Sequence, residues 1–104
     1  MIEAKTEGTF LVCSLRQEIT ATTVPVLRDK FVEFLQGEAD WEEMVLDCRN
    51  VETIDSIGVN LVVGLFKQTR TLKRSFRMTG CNPTVLKIVK LFRLDDQFIV
   101  EAEK

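Results

Sequence analysis

A serine opens the segment whose chemistry is most distinctive, TIDSIGVN at residues 53–60. Ser56 stands between an acid and an apolar residue, where a predicted strand gives way to a predicted helix. Aspartate and serine are both good helix caps, because their side-chain oxygens accept hydrogen bonds from the free amides of the first turn. The Ser56 hydroxyl is therefore either a helix cap or a group that another protein modifies.

Three other functional interpretations, a serine nucleophile, a phosphate-binding loop and a phosphorylated aspartate beside a metal, fail on the residues present. A serine nucleophile at a strand-to-helix turn usually has glycines on both sides and a histidine base, but Ile54 takes the first glycine position and the chain has no histidine. No glycine-rich run precedes a Lys-Ser or Lys-Thr pair, which excludes a phosphate-binding loop. Asp47 lies at the end of a predicted strand, yet the segment LVCSLRQ at residues 11–17, which ends an earlier strand, offers no acids to help hold a metal beside it. We expect no catalytic residue, no metal and no cofactor.

Modification of Ser56 is the interpretation that remains beside the cap. A phosphate at a helix N-terminus meets the positive end of the helix and its free amides. It would add close to two negative charges beside Asp55 and so disfavour a partner adapted to the neutral serine. Gly58 permits close backbone approach just after this point.

Composition and charge set the broad class of the protein. The chain has 104 residues, of which 45% are hydrophobic and 29% charged, as expected for one globular domain. Its net charge of −2 gives no pull toward nucleic acid or an anionic membrane. No apolar run approaches the roughly 20 residues of a membrane-spanning helix, and the N-terminus lacks a signal sequence. We expect a cytoplasmic protein in which Cys13, Cys48 and Cys81 are buried and reduced.

The hydrophobic pattern predicts an α/β fold with a mixed sheet. Gly8 suits the turn of an opening hairpin, and Asn82 followed by Pro83 is typical of a helix start. The element order is β-β-α-β-α-β-α-β, with the later strands joined by helical crossovers. The predicted strands lie at 1–7, 9–17, 43–48, 75–81 and 97–102, and the predicted helices at 22–37, 56–73 and 82–92.

The second helix is apolar on two sides, which predicts a binding surface. At 100° per residue, one side is assigned to the core and the other to solvent. We therefore expect Phe66→Ala to leave thermal stability nearly unchanged and to weaken partner binding. A neighbouring segment or a second copy of the chain, in a homodimer, is the alternative cover for this stripe. The predicted core side is Ile57, Leu61, Leu65 and Leu72 with Val62 at its margin, and the predicted partner surface is Val59, Val63 and Phe66 with Lys67, Arg70 and Lys73 around it.

Basic residues are concentrated in one half of the chain. Residues 67–93 hold eight Lys or Arg and no acid. They are spread over two helices and a strand, with few aromatic side chains to stack bases, so we expect no direct binding of nucleic acid. A solvated face that steers an acidic partner is the interpretation we adopt.

The ordered combination of motifs resembles the STAS domain, the family of anti-sigma factor antagonists. The segment Asp55-Ser56-Ile57-Gly58 opens a helix, Asn82-Pro83 opens the next, and residues 94–98 follow it. TVPVLRDKF at 23–31 is similar to the first-helix segment of the family. The resemblance covers nearly the whole chain and implies a single STAS-like domain over residues 1–104.

The resemblance also implies a function, partner switching. An unphosphorylated antagonist binds a serine-kinase anti-sigma factor and frees the sigma factor. The kinase phosphorylates the motif serine, here Ser56 with Asp55 as its neighbour, and a PP2C-type phosphatase restores it. The alternative is a STAS scaffold or ligand-binding subunit of a stressosome-like or lipid-transport ABC assembly, without serine phosphorylation. One departure is that Gln17 and Thr20 replace a glycine and an acid of the family's turn before the first helix.

Overall fold

The computed structural model describes residues 2–37 and 40–103. The predicted start of the first strand at residue 1, and the two ends of the predicted domain at residues 1 and 104, therefore lie outside the described residues. The five strands are β1 (Ile2–Glu7), β2 (Phe10–Leu15), β3 (Glu43–Asp47), β4 (Ser75–Cys81) and β5 (Ile99–Ala102). The helices are α1 (Val24–Gln36), α2 (Ser56–Thr71) and α3 (Pro83–Leu91), followed by a short 3₁₀ helix at Leu94–Asp96.

The strands form one mixed sheet in the order β1-β2-β3-β4-β5. β1 and β2 are an antiparallel hairpin, and Gly8 in its turn has a φ of 60°, which a glycine adopts without strain. β2, β3, β4 and β5 run parallel. Each parallel strand is joined to the next by a helix, and right-handed crossovers that advance in one direction lay their helices on one face of the sheet. The predicted α/β class and element order are confirmed.

The core lies between that face of the sheet and the helices. Leu11, Cys13 and Leu15 of β2 are buried, whereas the alternate side chains of the strand are more exposed. Phe76 and Met78 of β4 point inward, as predicted. Burial on one face of every central strand means that hydrophobic packing of the helices determines which way each strand faces. All three cysteines are buried and free, also as predicted.

The segment after α3 differs from the prediction. The last strand was expected from residue 97, but the chain first forms the 3₁₀ turn at Leu94–Asp96 and β5 begins at Ile99. Leu94 and Phe98 are both buried, so this segment packs into the core with side chains four residues apart before the strand starts. Within residues 2–37 and 40–103, no helix combines the length and the apolar character that crossing a bilayer would require.

Candidate functional site

The N-terminus of α2 lies at the edge of the sheet where the parallel strands end. The segments that follow β2, β3 and β4 all meet at this edge, because parallel strands point the same way. A bridge between Ile19 and Ile54 joins the first two of these segments. The Ile19 amide donates to the Thr53 carbonyl oxygen at 3.1 Å, and the Asp55 amide donates to the Ile19 carbonyl oxygen at 3.2 Å. The residue before Ser56 is therefore held by the loop after β2.

Asp55, and not Ser56, is the cap of α2. Its Oδ1 accepts a hydrogen bond from the Gly58 amide at 2.8 Å, and its Oδ2 accepts one from the Ala21 amide at 3.0 Å. These backbone donors stabilise the ionised form and hold the pKa of the Asp55 carboxyl below its ordinary value. The Gly58 amide makes the largest contribution, followed by the Ala21 amide. One carboxylate therefore begins the helix and ties it to the loop that leads into α1.

Ser56 is the first residue of the helix and is exposed. Within the described residues, its hydroxyl makes no side-chain hydrogen bond, since the capping role is taken by Asp55. The interpretation of Ser56 as a cap is therefore wrong. The geometry leaves the hydroxyl open to another protein.

Gly58 faces inward against the backbone of the neighbouring loop. A Cβ at this position would overlap the carbonyl oxygen of Ile19. Glycine is thus required by close packing, as the sequence suggested, and every side chain larger than hydrogen would push α2 away from the loop.

Asn82 fixes the segment that leads to Ser56 from the other side. Its Oδ1 accepts from the Val85 amide at 2.8 Å and so caps α3, as predicted. Its Nδ2 donates to the carbonyl oxygens of Val51 and Glu52, both at 3.2 Å. The start of α3 and the chain before α2 are therefore one connected unit.

The prediction that Val59, Val63 and Phe66 form an exposed stripe on α2 is wrong. Val59 is only 3% exposed, and Val63 and Phe66 are partly buried against the core. The Phe66 ring packs on the Phe98 ring with centroids 5.3 Å apart. Lys67 and Arg70 are exposed, as expected, and their part in partner binding stays a prediction.

The reason for this error is the contact of Gly58 with the loop after β2. Once Gly58 faces inward, the residues four, seven and eleven positions later face inward too, and Val62, Leu65 and Thr69 are indeed buried. The core side is rotated by roughly 60° from the predicted one. Ile57 and Leu72, which were assigned to the core, are instead 44% and 42% exposed.

A groove between α1 and α2 is the feature that the sequence analysis missed. It has a volume of about 560 Å³ and begins at Ile57, the residue after Ser56. Val32, Leu61 and Gly64 also line it. The one signal in the sequence was Gly64, a glycine in the middle of a helix. Among the described residues, no three metal-ligating side chains cluster here or elsewhere.

Comparison with known proteins gives a consistent result. The STAS domain family model matches residues 1–103. The Anti-sigma-B factor antagonist of Bacillus subtilis (strain 168) is 22% identical over 102 residues, which are 98% of this chain and 91% of that protein.

Two solved structures share the fold. An anti-sigma-factor antagonist (STAS) domain protein from Planctomyces limnophilus superposes with a TM-score of 0.85, at 20% identity, over 99% of this chain and 91% of that one. The Bacillus cell fate determinant SpoIIAA in its phosphorylated form superposes with a TM-score of 0.72, at 17% identity, over 98% of this chain and 91% of that one.

Proposed function

This chain belongs to the STAS domain family, and on that premise we propose that it is an anti-sigma factor antagonist that acts by partner switching. It binds a serine-kinase anti-sigma factor while Ser56 is unphosphorylated, and the sigma factor is then free. The kinase transfers the γ-phosphoryl group of ATP to the Ser56 oxygen, with loss of the hydroxyl proton and release of ADP. A PP2C-type phosphatase hydrolyses the phosphoserine and restores binding.

The observation that carries this proposal is an exposed serine hydroxyl, with no side-chain hydrogen bond in the described part of the chain, at the first position of α2. Because Asp55 supplies the cap, a phosphoryl group on Ser56 removes no contact that holds the helix. The fold survives modification, and only the surface changes. That is the behaviour required of a reversible switch.

Electrostatics explains how one phosphoryl group could release a partner. The free amides and the dipole of the first turn favour an anion at this position, so the phosphoserine is stable where it forms. Asp55 is already ionised at neutral pH, since its amide donors lower its pKa. Phosphorylation would therefore raise the local charge from one negative charge to almost three, which opposes a partner that fits the neutral serine.

The relatives support the same proposal. The Bacillus subtilis protein is named as an antagonist of an anti-sigma factor, and SpoIIAA is described in a phosphorylated form. We further propose that the chain is a binding protein without catalytic activity and that it works in the cytoplasm, where sigma factors act.

The test uses the serine-kinase anti-sigma factor of the same organism with Mg-ATP, and intact mass as the readout. Wild type should gain the mass of one phosphoryl group, and Ser56→Ala should gain none. Ser75→Ala is the matched control, because Ser75 is an exposed serine at the opposite edge of the sheet. A wild-type chain that binds but is never phosphorylated would favour the scaffold alternative.

A further inference from the structure

The two glycines of α2 differ in what explains them. Gly58 is required by the carbonyl oxygen of Ile19, as described above. Gly64 lies in the middle of the helix and is exposed, and a Cβ there would meet no atom within 4 Å. Glycine is the poorest helix former after proline. The helix therefore carries a weakening residue that no contact within the described chain requires.

Gly64 lines the groove between α1 and α2. Apolar side chains make up most of the surface around it, including Phe31, Val32, Ile57 and Leu61. Val32 is 43% exposed and Ile57 44%, so both present large apolar area to solvent. A missing side chain at Gly64 widens this groove and lets another backbone come close to α2. The groove therefore has space beside Gly64 that no described residue of the chain fills.

The occupant follows from the position of the groove. Ile57 lines it and is the next residue after Ser56, so the groove begins one residue from the phosphoacceptor. We infer that the groove receives one amphipathic helix of the serine-kinase partner, which crosses α2 at Gly64. This inference rests on the proposed function, since it names the binding surface of the same partner.

A helix fits the groove better than an extended segment does. Every described residue that lines it belongs to α1 or α2, and none belongs to a strand, so the lining offers no sheet edge to pair with. An extended peptide would bury backbone amides and carbonyls with few partners, whereas a helix satisfies them internally. Helices also pack closest where a small residue lies at the crossing point.

The charge of the groove specifies the partner helix further. Arg28 lines it and is exposed, and the described lining residues include no acid. The partner helix should therefore present apolar residues toward Leu61 and an Asp or Glu toward Arg28. An acidic helix also explains release, because phosphorylation of Ser56 places two negative charges at one end of its groove.

The main test is Gly64→Met, measured with the purified serine-kinase anti-sigma factor and ADP. Methionine fills the groove from a position where its Cβ meets nothing, so the melting temperature should stay equal or rise. Binding should weaken at least tenfold. Thr71→Met is the matched control, an exposed position on α2 outside the groove, and should bind like wild type.

Each outcome decides the inference. Wild-type binding by Gly64→Met would overturn it, and if wild type is still phosphorylated on Ser56 the proposed function stands without it. Failure of wild type to bind or to be phosphorylated would instead overturn the proposed function. If wild type is a dimer that Gly64→Met converts to a monomer, a second copy occupies the groove and the inference is wrong.

A second variant tests the charge of the partner helix. Arg28→Glu should weaken binding several-fold at low salt, and the difference from wild type should shrink as ionic strength rises. Lys30→Glu is the control, an exposed cation on α1 that does not line the groove. Equal effects of the two variants would show that net charge and not the groove is responsible, and would contradict an acidic residue opposite Arg28.

Discussion

The two sides of α2 are both apolar, yet they do different things. The inner side, centred on Gly58, Val59 and Val62, is buried within the chain. The outer side, with Ile57 and Gly64, faces a groove that the chain leaves open. Hydrophobicity alone does not separate them, because apolar side chains lie on both sides, Val59 and Val62 on the inner side and Ile57 and Leu61 on the outer side. What separates them is a backbone contact at Gly58, which sets the rotation of the whole helix.

The largest expected effect compares the same substitution at the two glycines. Gly58→Ala places a methyl group in the Ile19 carbonyl and should lower the free energy of unfolding by about 3 kcal/mol. Gly64→Ala meets open space and removes a poor helix former, so it should raise the free energy of unfolding by about 0.5–1 kcal/mol.

Urea unfolding measures both variants through Trp41, the single tryptophan, which is buried. If the free energy of unfolding changed in the same direction in both variants, α2 would not be rotated so that Gly58 faces the core and Gly64 faces solvent.

The next effect concerns Phe66, at the margin of the inner side. Its ring packs against Phe98, which in turn packs edge-on against Phe76 at 4.8 Å. Phe66→Ala should therefore lower the free energy of unfolding by about 2–3 kcal/mol, somewhat less than for a fully buried ring. Leu72→Ala, at an exposed position, should change it by about 0.5 kcal/mol at most. Unchanged stability with lost binding in Phe66→Ala would restore the original assignment of an exposed stripe.

Local patterns in the sequence were enough to predict the fold. Alternation in the strands, Gly8 in the hairpin, and Asn82 with Pro83 at the start of α3 are all signals within a few residues of one another. The α/β order follows from them because each pattern is tied to one kind of element. The motif that contains Ser56 was found in the same way.

The rotation of α2 was not predictable in this way. It depends on a contact between Gly58 and Ile19, which lie 39 positions apart in the chain. The choice of Asp55 over Ser56 as the cap has the same origin, since the Asp55 carboxylate also binds the Ala21 amide. Both features come from the loop after β2, whose place beside α2 only the assembled sheet determines. Sequence reasoning therefore assigned the buried and exposed sides of α2 wrongly.

A smaller effect on stability is expected at Asp55, the residue that caps α2. Asp55→Asn leaves a single side-chain oxygen for two amide donors and should lower the melting temperature at neutral pH. The native pKa of Asp55 lies below its unfolded value of about 3.9, so its ionised form stabilises the fold above that pH. That contribution is lost as pH falls through the lowered native pKa.

The difference in melting temperature between wild type and Asp55→Asn should therefore narrow below about pH 4. Asp29→Asn, at an exposed position on α1, controls for the change in net charge. A gap that stays constant down to pH 2 would mean that the two amide bonds of Asp55 do not favour its ionised form.

The smallest expected effect on stability is at Ser56 itself. Because Asp55 caps the helix, Ser56→Ala should change the free energy of unfolding by no more than about 0.5 kcal/mol and keep kinase binding. Ser56→Asp should also fold normally, since an acid suits a helix N-terminus, but it should bind the kinase more weakly than wild type.

Thr84→Asp is the matched control, because Thr84 is an exposed residue in the first turn of α3. If Ser56→Asp and Thr84→Asp bind the kinase with the same affinity, a negative charge at Ser56 has no specific effect on kinase binding. Weaker binding by Ser56→Asp alone, with both variants equally stable, would assign the switch to the surface that begins at Ser56 and continues along the groove.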